Sequence, residues 1–217
     1  MREIDQEAWP RSEHFKTFGA FHYPHFNMCA EVDLTVFRAA VTQEGASFTT
    51  AIVYVIARAA NDIPEFRQRI RGDTVVEHDV VHPSTTILVD EDLFSFCALD
   101  YTENFSAFTA RAAERVADVK KHPTLATRPE RDDLLYMTAI PWVSFTSFAH
   151  PILSLPVDSV PRFAWGKFHN DGDRVKMPLS VQGHHALMDG LHVGRYYARV
   201  NAYLGHPETF LGGPVSR

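Results

Sequence analysis

Between Phe48 and Asn61 the chain reads FTTAIVYVIARAAN, a run that is apolar almost all the way round. It is too long for an average strand, so it is read as a helix, and a helix without a polar face must be wrapped by other elements. The rest of the chain offers candidates for that wrapping. Pro10 opens a short predicted helix over Arg11 to Phe18, because proline is tolerated in a first helical turn. Phe26 to Val32 reads as a strand, and Asp33 or Thr35 caps a short helix through Val41. Pro64 starts a helical turn, PEFRQRI. Thr74–His78, Ser84–Val89 and Leu93–Leu99 have the β-branched and aromatic content of strands. Ala107–Lys121 reads as an amphipathic helix.

Tyr136–Ser147 includes a further strand. Phe163–Phe168 and Arg174–Gln182 form a predicted hairpin around Asn170-Asp171-Gly172-Asp173, a strong turn signal. Asp189–Tyr203 is the last predicted helix. Strands and helices alternate without a regular βαβ rhythm, which predicts an α/β sandwich with a mixed sheet. With 217 residues, 45% of them hydrophobic, the chain is expected to form a single domain over 1–217.

The composition also sets limits. A formal net charge of -6 gives no global basic field for nucleic acid. Cys29 and Cys97 sit in apolar neighbourhoods without metal-type spacing, and are read as buried thiols. The opening MREIDQEAWPRSEHF lacks the basic-then-apolar pattern of a signal peptide. No apolar run approaches the roughly 20 residues of a membrane span. A soluble, cytoplasmic protein is the expectation.

The chemistry concentrates in Pro178–Val200, PLSVQGHHALMDGLHVGRYYARV. A predicted strand ends at His184-His185, and Asp189-Gly190 follows where a helix cap belongs. A histidine at such a junction suits a general base, since its ordinary pKa is about 6.5. The same residues read alone also allow a structural pair with a simple cap. A metal held by His184, His185, His192 and Asp189 is a further option, although the spacing is not that of the common helical zinc pair.

HHALMDGLHVGR closely resembles the signature of the chloramphenicol acetyltransferase family, His-His-x-x-x-Asp-Gly followed by Phe-His-Val. The core of that motif is shared with a wider superfamily of CoA-dependent acyltransferases. The likeness extends along the chain. AWPRSEHF is similar to an N-terminal family segment, PWVSFTSF (Pro141–Phe148) to a second, and GKFHNDGDRVKMPLSVQ (Gly166–Gln182) to a third. These matches occur in order and span nearly the full chain.

The resemblance implies a two-layer α/β sandwich with a mixed sheet, the CoA-dependent acyltransferase fold. It implies a homotrimer in which His185 comes from one subunit and the acceptor pocket largely from the next. His185 would be the base and Ser147 the oxyanion donor, with an Asp189–Arg11 pair as structural support of the loop. Acetyl-CoA would be the co-substrate, with no metal, and chloramphenicol the first-ranked acceptor. Tyr54, Trp165, Lys167 and Phe168 fall at positions suited to the CoA arm. Phe18, Phe26, Phe94, Phe96 and Ala164 fall on the acceptor side, where the four phenylalanines are expected to line an apolar pocket facing His185.

The acceptor side departs from the family pattern. Phe18 stands where the well-studied enzymes have Tyr, the residues near Pro24 and Phe96 are bulkier, and Ala164 replaces a water-holding threonine. Leu191 replaces Phe after Asp-Gly. A different small hydroxyl acceptor is therefore the runner-up, ahead of a non-catalytic trimeric binding protein and a metal-dependent enzyme.

Overall fold

In the computed structural model, which describes residues 1–126, 131–152 and 158–212, the elements run as follows. First come β1 (Arg2–Glu3), α1 (Ser12–Gly19), β2 (His25–Asp33), α2 (Thr35–Gln43), α3 (Phe48–Asn61), α4 (Pro64–Arg67), β3 (Gln68–Arg71) and β4 (Thr74–Glu77). After these come β5 (His82–Leu88), β6 (Phe94–Ala98), α5 (Phe105–Lys121), β7 (Leu134–Ile140), β8 (Arg162–Gly166), β9 (His169–Asp171), β10 (Arg174–His184), α6 (Gly190–Gly205) and α7 (Glu208–Leu211). The main sheet has the order β2-β10-β8-β7-β5-β6, with β9 paired to β10, and a small sheet has the order β1-β4-β3. In the main sheet β5–β7 and β7–β8 are parallel, whereas β2–β10, β10–β8 and β5–β6 are antiparallel. The mixed α/β architecture expected from the sequence is therefore present.

The predicted central helix has the bounds read from the sequence. Ser47 Oγ caps α3 by accepting from Thr50 N, and every residue from Ala51 to Ala57 is buried in the core or at its edge. Its many alanines let α6 approach closely; Tyr196 on α6 is fully buried and donates to Ile56 O at 3.4 Å. Against these helices lies one face of the sheet, carrying Met177, Leu179, Val181, Phe163, Trp165, Leu135, Met137 and Cys97. The register places Leu179 beside Trp165 and Val181 beside Phe163, so alternate residues form a single apolar surface.

The other face of β10 and β8 carries Ser180, Gln182, His184 and Arg162, all buried and all polar. Irregular chain on either side of the segment 153–157 covers them. Ser180 Oγ donates to Phe148 O at 2.8 Å, the Gln182 side-chain oxygen accepts from His150 N at 2.8 Å, and Arg162 grips Asp158 with both terminal nitrogens. Gly166 lets this cover approach, because a Cβ there would run into Pro178 and the Val143 carbonyl.

Several local expectations change. The helical turn from Pro64 stops at Arg67, and Gln68–Arg71 becomes strand β3 against β4. Pairing with β4 supplies the backbone partners that a longer helix would have supplied, and it turns Arg69 inward. Arg69 is 1% exposed and donates to the carbonyls of Phe66, Gln68, Asp132 and Leu134. Burial pulls its pKa down to about 10 against the opposing charges of Asp132, Asp133 and Asp158, so it stays protonated at neutral pH. The short elements β1 and α7 carried no periodic signal. Among the described residues no helix is long and apolar enough to cross a membrane.

Arg69 thus ties the small sheet to the start of β7. Replacing it with Met should strand carbonyls whose isolation costs about 1–3 kcal/mol each. A loss of at least about 3 kcal/mol is expected in urea denaturation of Arg69→Met, and an unchanged midpoint would refute the role assigned to this residue.

Candidate active site

The turn after β10 is built by short-range hydrogen bonds. The amides of Leu187 and Met188 both donate to His184 O, at 3.0 and 3.1 Å, and fold the chain back on itself. Gly183 allows the return, since a Cβ there would collide with Met188 Sδ. The amide of His185 donates to Pro24 O at 2.8 Å, which pins the turn to the approach of β2. Asp189 then caps α6, its Oδ1 accepting from Leu191 N at 3.0 Å.

Two adjacent imidazoles meet opposite environments. His184 is buried edge-on to His25, with ring centres 5.0 Å apart, and its Nδ1 accepts from Ala186 N at 3.3 Å. Burial, with smaller contributions from His25 and His185, drives its pKa down to about 4. It is therefore a neutral, structural histidine. His185 is only half-buried. Its ring stacks on Phe18 at 3.8 Å with 11° between the planes, and Phe26 closes in at 5.1 Å. Its Nδ1 lies 3.2 Å from Met188 O. A carbonyl only accepts, so in the neutral ring Nδ1 carries the proton and Nε2 the lone pair.

Arg11 and Asp189 meet as the sequence suggested. Arg11 Nη1 donates to Asp189 Oδ2 at 2.7 Å, and Nη2 reaches His185 O at 3.4 Å. Burial alone would raise the Asp189 carboxyl. The Arg11 and Leu191 hydrogen bonds, with the nearby His192 and Arg11 charges, outweigh that and hold its pKa down at about 2. The expected pair is partly rather than fully buried, with side-chain exposures of 12% and 29%.

The remaining predicted residues are not gathered here. Ser147 is exposed in the irregular run after β7, and its neighbour Phe148 is tied to Ser180. Ser180 lies five residues before His185, roughly 16 Å at the rise of a strand. Phe94 and Phe96 sit on β6, at the opposite edge of the main sheet from Phe26 on β2. Five strand spacings separate these edges, about 24 Å. Within one chain, of the four phenylalanines, Phe18 and Phe26 face His185 and Phe94 and Phe96 do not. This separation agrees in direction with the division between subunits that the resemblance implies.

The CoA-side and Ala164 assignments also need revision. Tyr54 is fully buried, donates from its hydroxyl to Glu103 O at 2.6 Å, and packs among Phe105, Phe108 and Phe210. Trp165 belongs to the apolar core, and Ala164 on the same strand is completely covered. None of these three offers surface to a ligand. Lys167 is exposed, and Phe168 is half-buried against Phe48. Arg38, which no sequence pattern singled out, places its guanidinium 4.6 Å from the Phe168 ring centre. His192 belongs to the Asp189 cap, with Nδ1 3.1 Å from the Asp189 amide. The metal reading meets side chains already engaged in this turn.

A family model described as chloramphenicol acetyltransferase matches residues 1–201. The chain is 32% identical over 201 residues to a chloramphenicol acetyltransferase of Klebsiella sp, covering 92% of each. It is 31% identical over 203 residues to chloramphenicol acetyltransferase 3 of Escherichia coli, covering 91% of this chain and 94% of that one. A solved chloramphenicol acetyltransferase superposes with a TM-score of 0.83 at 28% identity, covering 94% of this chain and all of the other. A dihydrolipoamide acetyltransferase of Azotobacter vinelandii shares the fold, with a TM-score of 0.68 at 17% identity, covering 87% and 84%.

Because its folded pKa is depressed, Asp189 contributes stability that is complete above about pH 4 and is lost as pH falls towards 2. The shift corresponds to about 2 kcal/mol, less than a fully buried pair would lose. Asp189→Asn should lower stability by about that amount at pH 7 and flatten the stability profile between pH 4 and 2. Acid denaturation of the two proteins checks this, and identical profiles would rule it out.

Proposed function

The chain belongs to the chloramphenicol acetyltransferase family and is an acyltransferase, and from that premise we propose how it works. It transfers acetyl from acetyl-CoA to the primary hydroxyl of chloramphenicol by direct attack in a ternary complex. The observation that carries the mechanism is the His185 ring. Its Nδ1–H is committed to Met188 O, and none of the described residues hydrogen-bonds its Nε2.

Nε2 takes the acceptor hydroxyl's proton as the oxygen attacks the thioester carbonyl. A hydroxyl ionises too little at neutral pH to attack without such help. The tetrahedral intermediate places negative charge on the former carbonyl oxygen, where the Ser147 hydroxyl of a neighbouring copy serves as donor. Collapse breaks the carbon–sulfur bond, and the departing thiolate takes the proton back from His185. The flat Phe18 and Phe26 rings hold the imidazole in one orientation and give an aryl-bearing acceptor an apolar wall. Lys167 and Arg38 supply positive charge beside Phe168 for the phosphates and arm of CoA.

A homotrimer with sites between copies is part of this reading. Its support is the separation of the two sets of residues. His185, Phe18 and Phe26 lie at the β2 edge. At the other edge, Leu88 and Phe94 are paired and exposed. That apolar surface is a candidate for receiving the His185 edge of the next copy.

Thiol release from acetyl-CoA in the presence of chloramphenicol tests the reaction. A saturable rate is expected, with a raised Michaelis constant because Phe18 offers no hydroxyl to the acceptor. His185→Ala should reduce turnover by about 10²–10⁴-fold while CoA still binds; wild-type turnover in that variant would overturn the base assignment. Release with another small alcohol but none with chloramphenicol would move the acceptor to the runner-up. Sedimentation should give a trimer, and an active monomer would refute the shared site.

A further inference from the structure

The peptide unit joining Met188 to Asp189 has two polar ends, and the base uses one of them. Its carbonyl accepts from His185 Nδ1 at 3.2 Å. Its amide N–H points the other way, to His192 Nδ1 at 3.1 Å. An amide can only donate, so His192 Nδ1 carries a lone pair and the ring's proton sits on Nε2. That Nε2 lies 3.4 Å from Glu65 Oε1. His192 Nδ1 is also 2.9 Å from Asp189 Oδ1. A proton placed there would leave the amide without an acceptor, and Oδ1 already receives the Leu191 amide.

We propose that Glu65 and His192 are positioning residues for the base, acting on His185 through the Met188–Asp189 peptide. The inference rests on the reading of His185 as the general base. The two hydrogen-bond donors point the same way, His185 Nδ1–H to the carbonyl and the amide N–H to His192, and the Glu65 carboxylate stands 3.4 Å from His192 Nε2 as its charged neighbour. Hydrogen bonds in such a series polarise one another. The Glu65 charge makes His192 Nδ1 a better acceptor. That draws on the amide and puts more negative charge on Met188 O, which strengthens its hold on the His185 Nδ1 proton. The base is kept in the tautomer whose Nε2 carries the lone pair. The His192 and Glu65 side chains are 7% and 18% exposed, so water competes little for these bonds. Glu65 reaches His192 from α4, directly after Pro64.

Three variants test the idea, with His185→Ala as reference. His192→Leu keeps apolar bulk and removes the acceptor. Its kcat should fall about tenfold, with KM for both substrates kept within about twofold. His192→Asn places a carbonyl oxygen near the position of Nδ1 and should recover most of that loss. Glu65→Gln keeps an acceptor but removes the charge, and should lower kcat by about threefold with KM unchanged. All rates are expressed per folded protein, measured by circular dichroism. A purely structural role predicts less folded protein with normal kcat, and that result overturns the proposal. So does a Leu variant whose loss lies in KM, or an Asn variant no better than Leu. If His192→Leu does not fold, the kcat of Glu65→Gln decides alone. If His185→Ala keeps its turnover, the base assignment falls and this inference with it. If His185→Ala is inactive while the other variants match wild type, only the positioning role falls.

Discussion

Strand β10 is buried on both faces from Met177 to His184, and the rest of the molecule is arranged around that constraint. On one side its apolar residues meet α3 and α6. On the other, Ser180 and Gln182 take hydrogen-bonding cover from the irregular chain around Phe148 and His150, and His184 accepts from Ala186 N in the turn that follows. A strand clamped in this way has little freedom at its end. The turn that begins at His184 therefore starts from a fixed point, and the position of His185 follows from it. Rigid elements hold functional groups more narrowly than loops do.

The same clamp explains why adjacent histidines behave so differently. His184 is the last residue of the strand and shares its burial, which keeps it neutral. His185 is the first residue beyond it and reaches the half-open space between Phe18 and Phe26. One step along the backbone separates a packing group from the proposed base. Residue type alone does not distinguish them, whereas position relative to the strand end does.

What could be read from the sequence was local in origin. The α3 boundaries are carried by Ser47 and an unbroken apolar run, and the β9–β10 hairpin by Asn170-Asp171-Gly172-Asp173, where Gly172 takes the positive φ that the turn needs. The Arg11–Asp189 pair was legible only through family likeness, because nothing in the intervening chain links its partners. Other features were hidden for physical reasons. Strand β3 follows helix-like residues and exists because β4 pairs with it. Tyr54 and Trp165 are the aromatic type that serves cores and ligand sites alike, and only their burial separates the two roles. His192 read as a possible ligand, but its service to the Asp189 amide depends on a backbone direction that composition does not encode. The separation of Phe94 and Phe96 from Phe26 depends on strand order, which a linear pattern does not contain.

The Arg11–Asp189 contact joins residues 178 positions apart, and this has a consequence for synthesis. The α1 segment leaves the ribosome well before its partner, which follows 178 residues later. At ordinary translation rates the wait is roughly ten to forty seconds. Until then Arg11 has no Asp189 to hold, and Phe18 has no imidazole to stack upon. A chain released before Asp189 lacks both the turn and its anchor. A nascent chain that has not reached Asp189 therefore carries Arg11 and Phe18 without the turn they hold in the fold.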